Sequence, residues 1–136
     1  MSELEIYIDG ASKGNPGPSG VGVVICHNGE IVKKISNYIG EATNNVAEYT
    51  ALIHALQESL ILRAKKLKIF TDSELLYRQL KKVYRVKNEN ILILYKQAEH
   101  LLTGFEIFSI NHIPRENNKE ADKLATLAVK NAFKKS

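Results

Sequence analysis

The chain has 136 residues, of which 44% are hydrophobic and 25% charged, proportions that suit one globular domain able to bury its own core. Nineteen Lys and Arg against 15 Asp and Glu give a net charge of +4, which admits a polyanionic partner without requiring one. No apolar run is long enough to span a bilayer, no leader is visible, and a single cysteine, Cys26, excludes an internal disulfide or a Cys-based zinc site. A single domain over residues 1–136 is expected, monomeric, with no membrane partner, in a reducing cytoplasmic setting.

The first predicted element is a strand, Leu4–Ile8, whose β-branched and aromatic residues lead into Asp9 and a turn rich in Gly, Pro, Asn and Ser from Gly10 to Gly20. Asp9 then stands at a strand's end, although Asp-Gly is by itself an ordinary turn signal. Val21–Cys26 forms a second strand, with Cys26 a buried thiol. Asn28-Gly29 predicts a hairpin into a third strand from Ile31 to about Ile39.

From Asn44 the apolar period lengthens to three and four residues, and a helix runs to about Leu62 with Thr43, Asn44 and Asn45 as cap candidates. Glu48 falls on or beside its buried stripe, a costly place for an unpartnered carboxylate. Leu67–Thr71 is a fourth strand, and Asp72 follows at once. Helices are predicted over Ser73–Lys82, with Leu76, Leu80 and Val83 on one side, and from about Glu89 to Leu102, burying Leu94, Ala98, Leu101 and Leu102.

Phe105–Ile110 is a fifth strand. A last helix runs from Glu116 or Asn117 to Phe133 and carries Asp122. The order is βββ-α-β-α-α-β-α, an α/β mixed sheet with helices on its faces.

A right-handed crossover places the fourth strand beside the first, so Asp9 and Asp72 face each other, and helices over the sheet can add Glu48 and Asp122. Four close carboxylates repel unless a cation joins them. All-oxygen ligation suits Mg²⁺ or Mn²⁺. Two such ions about 4 Å apart can activate water on one side of a phosphodiester and stabilise the leaving oxygen on the other. Each acid also has a plain reading as a capping or solvent-facing residue.

The chain resembles type 1 ribonuclease H in Tyr7-Ile8-Asp9-Gly10-Ala11-Ser12 with Gly14-Asn15-Pro16-Gly17, in Thr43-Asn44-Asn45-Val46-Ala47-Glu48, in Phe70-Thr71-Asp72-Ser73, and in Asn118-Lys119-Glu120-Ala121-Asp122-Lys123-Leu124-Ala125. The resemblance covers nearly the whole chain and implies the ribonuclease H-like fold, a five-stranded mixed sheet with three antiparallel strands followed by parallel additions. It implies that Asp9, Glu48, Asp72 and Asp122 ligate two Mg²⁺ ions, with Mn²⁺ as the alternative. The implied reaction is endonucleolytic hydrolysis of the RNA strand of an RNA–DNA hybrid, leaving 5′-phosphate and 3′-hydroxyl ends.

By the same resemblance Glu48 touches a 2′-hydroxyl beside the cut, which only RNA offers. Asn15, Asn44 and Asn45 contact the hybrid, although the last two also read as helix caps. Thr43 and Asn88 belong to a DNA-strand phosphate pocket, and Gly10, Ser12, Ser73 and Asn118 belong to the substrate site.

Three departures bear on substrate choice. Glu41 stands where an arginine often completes the phosphate pocket, so double-stranded RNA is admitted as a second substrate. The Arg85–Asn90 stretch replaces an inserted basic handle, and Lys81, Lys82, Arg85 and Lys87 either substitute in part or form a solvated basic face. The loop before the last helix is short. His112 either supplies the family's loop histidine or, as favoured here, closes strand five in its absence, with Arg115 the nearest group for a phosphate. Lys130, Lys134 and Lys135 form a further basic group. The competing functional reading is a non-catalytic module that recognises hybrid or double-stranded RNA by shape; the presence of all four acids argues against it.

Overall fold

The computed structural model describes residues 2–134, so Lys135 of the C-terminal basic group lies outside it. The elements are β1 (Glu3–Ser12), β2 (Gly17–His27), β3 (Glu30–Ala42), α1 (Asn44–Ile61), β4 (Lys66–Thr71), α2 (Glu74–Leu80), α3 (Glu89–Leu102), β5 (Ile107–His112), a 3₁₀ turn (Arg115–Asn117) and α4 (Lys119–Ala132). Strand order is β3-β2-β1-β4-β5. The first three strands are antiparallel, and β1, β4 and β5 run parallel. This is the five-stranded mixed sheet expected from the sequence. Among the described residues no helix is long and apolar enough to cross a membrane.

The core explains why these residues become these elements. Leu4, Ile6 and Ile8 of β1 alternate onto the same face as Val21, Val23 and Ile25 of β2, and Tyr49, Leu52 and Leu56 of α1 close over them. Each such side chain contributes about 1.5–3 kcal/mol on burial, so this face dominates the packing. The opposite face of β2 is covered by Ala121, Ala125, Ala128 and Val129 of α4, which is why β2 is buried along nearly its whole length.

The helices reach the sheet this closely because of two glycines. A Cβ on Gly10 would lie inside contact distance of the Ala47 carbonyl carbon and the Glu48 backbone nitrogen, so α1 rests directly on β1. A Cβ on Gly22 would collide with the Ala121 carbonyl oxygen, so α4 rests directly on β2.

The structure departs from the sequence expectations in several places. β1 continues to Ser12, so Asp9 is inside a strand rather than at its end. Its neighbours Gly10, Ala11 and Ser12 still pair with β2, whereas the ladder to β4 stops at Ile8. Similarly, β2 begins at Gly17 and β3 runs on to Ala42, which leaves a turn of only 13–16. Strand β5 starts two residues later than expected and ends at His112, because Phe105 is drawn into the core ahead of it. Val83 is 61% exposed: α2 ends at Leu80, and Lys82 takes a left-handed φ of 63° that turns the chain away. In α3 the buried residues are Ile91, Ala98 and Leu102, with Leu94 and Leu101 only half-buried. The last helix divides into the 3₁₀ turn and α4 at Asn118.

A Gly22→Ala variant tests the close approach of α4. Overpacking at such a seam costs about 1–3 kcal/mol. The midpoint of urea denaturation is expected to fall with its slope unchanged; an unchanged midpoint contradicts the seam.

Candidate metal centre and active site

Asp9 pairs with Gly22 across β1 and β2, so its side chain stands on the face that α4 covers, while Gly10 faces α1. Asp72 follows the last residue of β4, beside the point where the β1–β4 ladder ends. Glu48 comes from the second turn of α1 and Asp122 from the first turn of α4. A helix N-terminus carries partial positive charge over its first turn, so Asp122 sits where its helix favours an anion.

Carboxylate oxygens of Asp9, Glu48 and Asp72 all lie within 4.8 Å of one another. Asp122 lines the same pocket, whose volume is about 380 Å³, together with Gly10, Ser12, Asn44, Asn45, Ser73 and Arg115.

Three hydrogen bonds fix this arrangement. The Gly10 N–H donates to Glu48 Oε1 at 2.9 Å, tying α1 to β1 at the site. Asn118, only 2% exposed, donates from Nδ2 to the Ile8 carbonyl at 2.9 Å and toward Asp72 Oδ2 at 3.4 Å. Its side chain makes no cap bond to α4, because it is committed to joining β1 and Asp72.

Burial raises Asp9 far above the ordinary carboxylate range, and the neighbouring charges of Glu48 and Asp72 raise it further. Glu48 is raised as well, chiefly by burial, against the opposing Gly10 N–H. Asp72 is raised by burial and held back by Asn118 and by the Arg115 charge. Glu48 Oε2 is buried with no hydrogen-bond partner among the described residues. Crowded carboxylates and an orphaned buried oxygen fit a hard divalent cation, which favours oxygen ligands.

The remaining predicted residues divide by position. Asn44 and Asn45 are exposed at the pocket's rim, and the Asn44 N–H donates to Asn15 Oδ1 at 3.0 Å, which holds the glycine-rich turn against the start of α1. Thr43 caps α1 through Val46, and Ser73 caps α2 through Leu76. Ser12 bonds Ser19 Oγ at 2.5 Å and the Ala42 carbonyl at 3.1 Å.

Two of the predicted substrate-site residues also have structural roles. Asn118 is buried beneath Asp72. Asn88 is exposed and caps α3 through Ile91, and Asn90 two residues on lines a groove with Thr43 and Glu41. Asn90 and Ser19, which the sequence reading did not single out, line that groove and bond Ser12 respectively. His112 ends β5, stacked on Tyr77 with ring centroids 5.5 Å apart, and its Nε2 lies 3.3 Å from the Asp72 carbonyl oxygen.

A family model described as reverse transcriptase-like matches residues 7–128. The chain is 39% identical to LC11-RNase H1 in its complex with an RNA/DNA hybrid, with a TM-score of 0.92 over 96% of this chain and 99% of that one. The chain belongs to the ribonuclease H family. Among curated ribonucleases H it is 42% identical to ribonuclease HI of Halobacterium salinarum over 95% of its own length and 65% of that protein's. It is 38% identical to a bifunctional protein of Mycobacterium tuberculosis, of which it spans 35%. The chain therefore spans about two thirds of the first of these relatives and about a third of the second.

The raised carboxyls give a pH signature. Folded protein without metal retains protons that the unfolded chain loses above about pH 4, so its stability falls as pH rises from there into the alkaline range. Melting temperatures of metal-free protein are expected to decline over this window, with Mg²⁺ restoring them most at high pH. A metal-free melting temperature that rises with pH contradicts the cluster's electrostatics.

Proposed function

We propose that this chain is an endoribonuclease that hydrolyses the RNA strand of RNA–DNA hybrids with two bound divalent ions, leaving 5′-phosphate and 3′-hydroxyl ends. The observation that carries the reading is the convergence of Asp9, Glu48 and Asp72 within 4.8 Å, with Glu48 Oε2 buried and unpartnered among the described residues. Those three residues and Asp122 would hold the ions, Mg²⁺ foremost and Mn²⁺ as an alternative. When bound, the ions supply a water of lowered pKa and neutralise charge developing on the phosphate.

The chain's own residues do the rest. Gly10 and Asn118 hold Glu48 and Asp72 in place against their mutual repulsion. Asn44 and Asn45 present amides, able both to donate and to accept, at the rim where a sugar edge would lie. Exposed Arg115 on the 3₁₀ turn lines the pocket and offers a fork of donors to a phosphate beside the cut. Glu41, exposed beside Thr43 in the neighbouring groove, weakens that groove for a DNA phosphate, which supports activity on double-stranded RNA as well. His112 is held by Tyr77 and the Asp72 backbone, so we assign it to closing β5 rather than to a mobile loop.

The reading takes residues 1–136 as one domain, and the buried unpaired Cys26 agrees with a reducing, cytoplasmic setting.

A panel of labelled RNA–DNA hybrid, double-stranded RNA and a DNA duplex carrying one ribonucleotide, assayed with Mg²⁺, tests the proposal. The hybrid's RNA strand is expected to be cut, and Asp72→Asn is expected to lower cleavage by at least about a hundredfold while hybrid binding persists. Binding without cleavage by the wild-type chain overturns the enzymatic reading in favour of a recognition module.

A further inference from the structure

A second groove, of about 780 Å³, opens beside the acidic pocket between the glycine-rich turn and the C-terminal half of α4. Ala11 and Ser12 line both, so the two adjoin across this strip of β1. The second groove has no carboxylate in its wall and carries Lys13 and Lys130 on its two sides, with Thr126 and Phe133 between and beyond them. Both lysines are exposed, and neither takes part in an ion pair among the described residues, whose pairs engage Lys33, Lys34, Lys65, Lys68, Arg78 and Lys82 instead. Phe133, 61% exposed, is held at the rim edge-on to Tyr38 at 5.8 Å.

The helix itself connects the two sites. Asp122, Thr126, Lys130 and Phe133 recur at four, eight and eleven residues, one stripe along α4 that starts at the acids and ends at the groove. At 1.5 Å per residue Lys130 stands about 12 Å from Asp122 along the axis. At about 3.3 Å per residue Lys13 stands roughly 13 Å beyond Asp9 along the continuation of β1. Two independent elements thus place a cation at the same distance from the acids, on the same side. That distance corresponds to about four nucleotides at 3.4 Å each.

We propose that this groove is a second substrate subsite, in which Lys13 and Lys130 grip phosphates of the cleaved strand about four nucleotides to one side of the cut. The occupant is a nucleic-acid backbone because the groove is cationic and adjoins a pocket that would hold a phosphodiester. The inference rests on the nuclease reading above. It adds an anchor on the cleaved strand, away from the basic residues around Lys81 to Lys87, and divides the work between an acidic centre that holds cations and a basic wall that holds the strand.

The test is the double variant Lys13→Glu with Lys130→Glu, read on a long hybrid and on one trimmed close to the cut on the groove's side. KM for the long hybrid is expected to rise roughly tenfold with kcat nearly unchanged, and the slope of log kcat/KM against log salt to shrink by about two, one for each phosphate no longer neutralised. The trimmed hybrid should not distinguish wild type from variant, and Lys130→Arg alone should behave as wild type. Equal KM and salt slope for variant and wild type overturn the subsite, as does an equal loss on both substrates. Binding of the long hybrid in the Asp72→Asn background, followed by fluorescence anisotropy, reads the groove without cleavage. If the wild-type chain cuts nothing while the charge reversals still reduce the salt slope of binding, the nuclease reading fails and the subsite stands.

Discussion

Carboxylates packed together in a partly dry pocket repel one another, and the arrangement of this molecule follows from how the fold holds them there. Asp9 is driven toward its protonated form by burial first and by the charge of Glu48 second, while Glu48 is driven the same way by burial against hydrogen bonds from Asp9 and the Gly10 N–H. What keeps them in place is packing elsewhere. The apolar face of β1 and β2 against α1, and the alanine-lined face of α4 against β2, supply the free energy, while Gly10 and Gly22 let the two helices come close enough to deliver Glu48 and Asp122 to Asp9. A site of this kind is a place where stability is set against function.

Much of this was legible in the sequence, and the limits have physical causes. Asp9 and Asp72 follow or interrupt runs of β-branched and aromatic residues, and Glu48 disturbs an otherwise apolar helical stripe, so local period marked them as candidates and the resemblance joined them into one site. Strand ends were less legible, because Ala11, Ser12, Gly17 and Pro18 look like turn residues and become strand only through pairing with neighbouring strands. Phe105 reads as the start of β5 but is taken by the core, a tertiary demand that no local pattern carries.

The asparagines show the same boundary. Asn118 is in a motif that resembles substrate contacts, yet it is buried as a strut beneath Asp72, whereas Asn88 caps α3 and remains exposed. The amide group serves either role equally well, and for Asn118 its burial is what sequence does not carry. Glycine presents the converse case: Gly22 sits within a strand where it weakens local propensity, and its use is visible only once Ala121 is seen lying on it.

Crowded carboxyls that hold protons should release them when a divalent cation takes their place. Titration calorimetry with Mg²⁺ near neutral pH, repeated in buffers of differing ionisation enthalpy, reads that exchange without any substrate. The heat of binding is expected to vary with the buffer, reporting proton release, and to lose this variation in Asp9→Asn. A heat independent of buffer, or no Mg²⁺ binding by the wild-type chain, would contradict the exchange.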